Sequence, residues 1–192
     1  MQVARVGGEE RYRFFFATNR VLDGGELDLQ KDLGATRGEA LTLGSFDTQI
    51  EPTLGLGRWL DASRWLLDEE LKVLDVRPLE QADFVAQVRA MVAESPHRGL
   101  LLLVHGFRTD FDFALRGTAF LANVLDINAP VMVFDWPGNQ GSSLSGYRRG
   151  RKHHLFGLVG RAICAGDAVC VREVRGGRIE SGGLRRQRAA RD

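Results

Sequence analysis

Cysteine is scarce in this chain of 192 residues, which holds only Cys164 and Cys170. Two thiols cannot make a disulfide framework, and their C-x5-C spacing matches no common zinc pattern, so both read as buried or incidental. Long apolar runs are lacking as well. No stretch approaches the roughly 20 residues that span a bilayer, and the opening MQVARVGGEERYR has no continuous apolar segment of the secretory kind. The expectation is a cytoplasmic protein with no membrane partner. Phosphate-cradling glycine patterns are also missing: Gly55 and Gly57 do not form a G-x-G-x-x-G turn between strand and helix, and no G-x-x-x-x-G-K-[ST] occurs. His153 and His154, taken with the two cysteines, hold zinc-compatible atoms, but at no usual spacing. Neither a metal ion nor an organic cofactor is therefore expected.

What is present suffices for a real core, since 44% of the residues are hydrophobic. The net charge of +1 conceals an asymmetry. Residues 1–147 carry 14 basic and 21 acidic side chains, whereas residues 148–192 carry 12 and 4. Eleven of those 12 are arginines, set among glycine and alanine as in RGGRIESGGLRRQRAARD. The division expected is a folded portion over 1–147 and a basic tail over 148–192, the latter a disordered or solvated end or an arm for nucleic acid.

Along the first portion, apolar periodicity alternates between strand and helix. RYRFFFAT, at residues 11–18, reads as a strand. Residues 21–38, with repeated glycine and aspartate, read as a loop. EALTLGSFDTQI and ELKVLDVRPL read as strands, the second alternating through Leu71, Val73 and Val76 and closed by Pro78. The stretch around Trp59 and Trp65 fits neither pattern. Asp83 reads as the cap of a helix bearing Phe84, Val88, Met91 and Val92 and ended by Ser95-Pro96. LLLLV, at 100–104, is too short for a helix and apolar on both faces, as a covered central strand must be. Thr109 then opens a capping pattern with Asp112, and Leu115, Thr118, Ala122 and Leu125 form one helical stripe. PVMVFDW, from Pro130 to Trp136, reads as the next strand. This order predicts a three-layer, mostly parallel α/β sheet.

Ligands of such sheets bind at the carboxyl ends of the strands. His105 and Gly106 stand at the end of LLLLV, where glycine allows a sharp turn and the next backbone N–H groups can face a crevice. LLLLVHGF, a capped helix and PVMVFDWPGNQGSSLSGY together resemble a strand, oxyanion turn, helix and following strand of the α/β-hydrolase superfamily. More narrowly they resemble an uncharacterised esterase/lipase-like bacterial branch, and FFATNR at 15–20 and VRPL at 76–79 fit that branch too. The resemblance covers about residues 11–147. It implies that Phe107 supplies an oxyanion-hole N–H, that His105 and Gly106 shape the turn, and that the substrate is a small carboxylic ester. Arg108 stands where the branch commonly has asparagine.

The superfamily carries its nucleophile in G-x-S-x-G, followed in chain order by an acid and a histidine. No such motif is present. Ser181 follows a strand-like AVCVREV but has Ile179 where the first glycine belongs, and Ser143 lies in GSSLS, which ends in serine. All four histidines precede Ser181, and Asp192 is the only acid after it. Ser143 does precede His153 and His154, but neighbouring histidines on a regular element point in different directions. The chain is thus expected to be an α/β-hydrolase-type domain with an incomplete site and little activity. Residues 148–192 are expected to reflect either a shifted reading frame of a G+C-rich gene or a genuine basic tail. In the second case a non-catalytic protein contacting nucleic acid is the alternative function.

Overall fold

The computed structural model describes residues 1–7, 10–22, 33–51, 71–105 and 110–137, and the backbone of 171–172, 174–175 and 178–179. The strands are β1 (Arg11–Leu22), β2 (Leu33–Ile50), β3 (Leu71–Pro78), β4 (Leu100–Val104), β5 (Val131–Asp135), β6 (Val171–Arg172), β7 (Val174–Arg175) and β8 (Arg178–Ile179). Helix α1 (Gln81–Glu94) precedes β4, and α2 (Phe111–Val124) joins β4 to β5.

The aromatic run in β1 explains its central place. Successive side chains of a strand point to opposite faces, so a run of Phe14, Phe15 and Phe16 needs cover on both. All three are fully buried. Phe14 and Phe16 join Phe46 of β2 and Phe111, Leu115 and Phe120 of α2 in one core cluster. Phe15 and Ala17 join Phe84 and Val88 of α1, with Met132 and Phe134 of β5, in the other. The ring of Phe16 meets Phe111 edge-on at 5.3 Å, and Phe15 meets Phe84 edge-on at 5.5 Å. Each helix is thus tied to its own face of β1 by an aromatic pair.

Six strands form one sheet in the order β3-β2-β1-β5-β4-β6, and β7 and β8 pair separately as an antiparallel hairpin. The expected mostly parallel sheet is not what forms. Among the described residues parallel pairing is confined to β1–β5, β5–β4 and β4–β6, while the longest ladders, β1–β2 and β2–β3, are antiparallel. The reason is connectivity: β1, β2 and β3 are neighbours both in sequence and in the sheet, and strands joined this way without a crossover run antiparallel. Residues 21–22 and 33–38 of the expected loop belong to that hairpin, since Arg20 pairs with Arg37 and Leu22 with Leu33. A partner strand supplies the hydrogen bonds there, and local glycine and aspartate content does not reveal it.

Both helices start near the predicted positions but with different caps. Glu80 occupies the N-cap of α1 without a side-chain cap bond, and Asp83 lies in the first turn, where a carboxylate still favours the helix dipole. Asp110 caps α2 by accepting from the Phe113 N–H at 2.9 Å. Thr109, the predicted start, lies outside the described residues, as do Trp59 and Trp65. Leu125 follows the last turn and is 60% exposed, so the buried stripe of α2 ends at Ala122. In β5 all five residues are buried, whereas β4 opens progressively to Val104, which is 38% exposed.

Candidate functional site

The parallel strands end side by side. Thr18 of β1 pairs with Asp135 of β5, and Val104 of β4 pairs with Phe134, which brings Thr18, Arg20, His105, Asp135 and Trp136 to one edge. Arg20, two residues before the end of β1, meets Asp135, the last residue of β5. Arg20 Nε donates to Asp135 Oδ2 at 2.5 Å, and Arg20 Nη2 donates to Asp135 Oδ1 at 3.2 Å. Both side chains are at most 3% exposed. Thr18 Oγ1 donates to the same carboxylate at 3.1 Å and accepts the Arg20 N–H at 3.2 Å. Burial pushes the Asp135 carboxyl above the ordinary range, while the guanidinium of Arg20 and the hydroxyl of Thr18 oppose that shift.

From this pair a chain of hydrogen bonds runs to β4. Arg20 Nη2 donates to the Trp136 carbonyl at 2.9 Å, and Trp136 Nε1 donates to the His105 carbonyl at 2.9 Å. The His105 N–H reaches the Phe134 carbonyl at 3.4 Å. The backbone on both sides of the His105 peptide is therefore held by the neighbouring strand at the point where β4 ends. Asn19, 3% exposed, has a side-chain oxygen with no hydrogen-bond partner.

His105 turns toward α2. Its Nε2 lies 3.3 Å from Thr118 Oγ1, whose own proton is directed to the Ala114 carbonyl at 2.8 Å. That pattern assigns the imidazole proton to Nε2, with the threonine oxygen accepting. The absent side chain of Gly117 makes room for the ring, since a Cβ there would stand 3.0 Å from His105 Cε1. Burial lowers the imidazole pKa, and the Ala114 carbonyl partly offsets this. A neutral ring packed on a helix orients the strand end.

Of the residues singled out from sequence, His105 is in place at this edge. Gly106, Phe107, Arg108, Ser143, Ser181, His153, His154, Cys164 and Cys170 lie outside the described residues. Thr18, Asp135 and Trp136 fall in the expected strands and Arg20 in the resemblance, none of them as a site residue, although the sequence carries a usable signal: an ionisable residue shortly after an apolar run, in FFFATNR and in VMVFD. Among the described residues no group of three or more His, Cys, Asp or Glu side chains could hold a metal ion, and no helix is long and apolar enough to cross a membrane.

Helices over a mixed sheet, with a polar edge where its parallel strands end, define an α/β protein. Residues 80–156 match the family described as an alpha/beta hydrolase of unknown function (DUF900). Over this segment, which takes in α1, β4, α2 and β5, the chain resembles the α/β-hydrolase superfamily. Neither the curated proteins nor the solved structures contain a match.

Proposed function

We propose that this chain is an α/β-hydrolase-type domain directed at carboxylic esters, with the oxyanion turn at His105, Gly106 and Phe107 and without an activated serine. The observation that carries this reading is the fixing of the end of β4: the His105 carbonyl accepts from Trp136, which is itself held by the Arg20–Asp135 pair. Oxyanion stabilisation depends on donors that are already oriented before charge develops, and the strand end from which this turn departs is held in place. The lack of a G-x-S-x-G motif within these 192 residues supports the second half of the reading.

Two measurements test the two halves. Calorimetric titration with a stable phosphonate ester, a mimic of the tetrahedral intermediate, should show saturable binding that weakens in Trp136→Phe, which keeps the ring and loses the Nε1 donor. Absence of binding would overturn the ester assignment. A fluorophosphonate probe should give no stoichiometric adduct, because removing triad members leaves only about 10³ to 10⁴-fold acceleration over water. One adduct per chain at Ser143 or Ser181, lost together with hydrolysis in the matching Ser→Ala variant, would show a working nucleophile.

The arginine content of residues 148–192 supports a second reading, a non-catalytic protein that contacts nucleic acid through this segment.

A further inference from the structure

A second polar cluster lies at the other end of β1. Asp47 of β2 is 1% exposed in its side chain, and three guanidinium groups converge on it. Arg13 donates to Asp47 through Nε at 2.8 Å and Nη2 at 3.0 Å. Arg11 does so through Nε at 3.2 Å and Nη2 at 2.9 Å, and Arg77 of β3 through Nη2 at 3.4 Å. Asp75, 57% exposed, pairs with Arg11. The register between β2 and β3 shifts from Ser45 to Asp47, and Asp75 opposite that irregularity has φ +44°. The bulged backbone sets this second carboxylate against Arg11.

Neutralising a buried carboxylate takes one arginine. Here three cations face two carboxylates, which leaves one positive charge in excess at side chains that remain 28% to 45% exposed. Each guanidinium has five N–H donors, so bonds to Asp47 and Asp75 leave several on every one of the three. On the same sheet face Ser45, the register partner of Arg77, is buried with a hydroxyl lacking a hydrogen-bond partner. The cluster stands about 17 Å from Thr18, taking roughly 3.4 Å per residue along five residues of β1.

We propose that Arg11, Arg13 and Arg77 form an anion-binding site for a carboxylate group, separate from the edge at Thr18 and Asp135. The charge decides between the common oxyanions: a singly charged carboxylate brings the cluster to neutrality, whereas a phosphate dianion leaves it with net negative charge. Its two coplanar oxygens also fit the fork of a guanidinium, and the preorganisation by Asp47 and Asp75 limits the side-chain entropy lost on binding.

The experiment is an NMR titration of the arginine Nε–Hε signals in the full chain, with benzoate, inorganic phosphate and chloride at matched ionic strength. Benzoate should shift the Arg11, Arg13 and Arg77 signals saturably, at least threefold more tightly than phosphate, with chloride showing no saturation. Arg77→Gln should weaken benzoate at least threefold. This variant removes the most exposed and most distant of the three cations and leaves Asp47 with Arg11 and Arg13, so thermal melting should stay close to wild type. Arg77→Lys should regain part of the affinity. Tighter binding of phosphate, equal response to chloride, or unaltered benzoate affinity in a folded Arg77→Gln protein would each overturn the assignment.

Discussion

Arg20 and Asp135 show how much a single buried charge depends on its partner. The pair is nearly closed to solvent, and beyond their mutual bonds Asp135 accepts from the Thr18 hydroxyl and Arg20 donates to the Trp136 and Gly34 carbonyls. Removing one member strands the other, so Asp135→Asn is expected to cost about 3–5 kcal/mol in urea unfolding. Replacing both, with Arg20→Met and Asp135→Leu, should restore much of that loss, since an apolar pair has no charge to desolvate. If the double variant is no more stable than the single one, the pair contributes more than mutual neutralisation. His105 couples stability to pH. Its folded pKa lies below the ordinary 6.5, so on acidification the unfolded chain binds the proton first. The contribution is complete above about pH 6.5 and is lost as pH falls through the window beneath it. Chemical denaturation from pH 7.5 to 5 should show wild type losing more stability than His105→Gln, and parallel curves would count against this account.

At the scale of elements, the sheet is most sensitive where two strands and a ring crowd one point. Gly44 of β2 lies beside Phe16, and a Cβ there would stand 2.2 Å from Phe16 Cζ and 2.4 Å from the Arg77 carbonyl. Neither a ring wedged against α2 nor a ladder carbonyl can retreat, so Gly44→Ala should cost about 3 kcal/mol or more. Gly117→Ala meets only the edge of the His105 ring, and its effect on thermal melting should be much smaller. At the start of α2, Asp110→Ala removes the acceptor for the Phe113 N–H and should cost about 1 kcal/mol. Val133→Asp places a carboxylate in the fully buried β5 and should cost several kcal/mol, more than Leu102→Asp in the partly exposed β4. The reverse ranking would contradict the order of the strands in the sheet.

For the whole molecule the dominant feature is the separation of charge, with an excess of 7 acidic residues over 1–147 and of 8 basic residues over 148–192. If the basic segment contacts nucleic acid, the logarithm of the affinity should fall steeply and linearly with the logarithm of salt concentration, and deleting residues 148–192 should abolish binding. Fluorescence anisotropy with a labelled duplex at several salt concentrations measures both. Shallow salt dependence, or binding that survives the deletion, would remove the second functional reading.

Local pattern alone determined those features whose cause is local. The apolar run at 100–104, the helical stripe with Phe84 and Val88 and the run in PVMVF each carry their own period, and each became the expected element, because burial of a face is written into the spacing of apolar residues. His105 was legible for the same reason, as the first polar residue after a buried strand. Only the tertiary structure decided that β2 lies antiparallel between β1 and β3, that part of a glycine-rich stretch extends the hairpin, and that Arg20 finds Asp135 at a sequence distance of 115 residues. Strand pairing and ion pairing depend on which backbone or charge arrives alongside, and the spacing of residues within one segment carries no record of its distant partner.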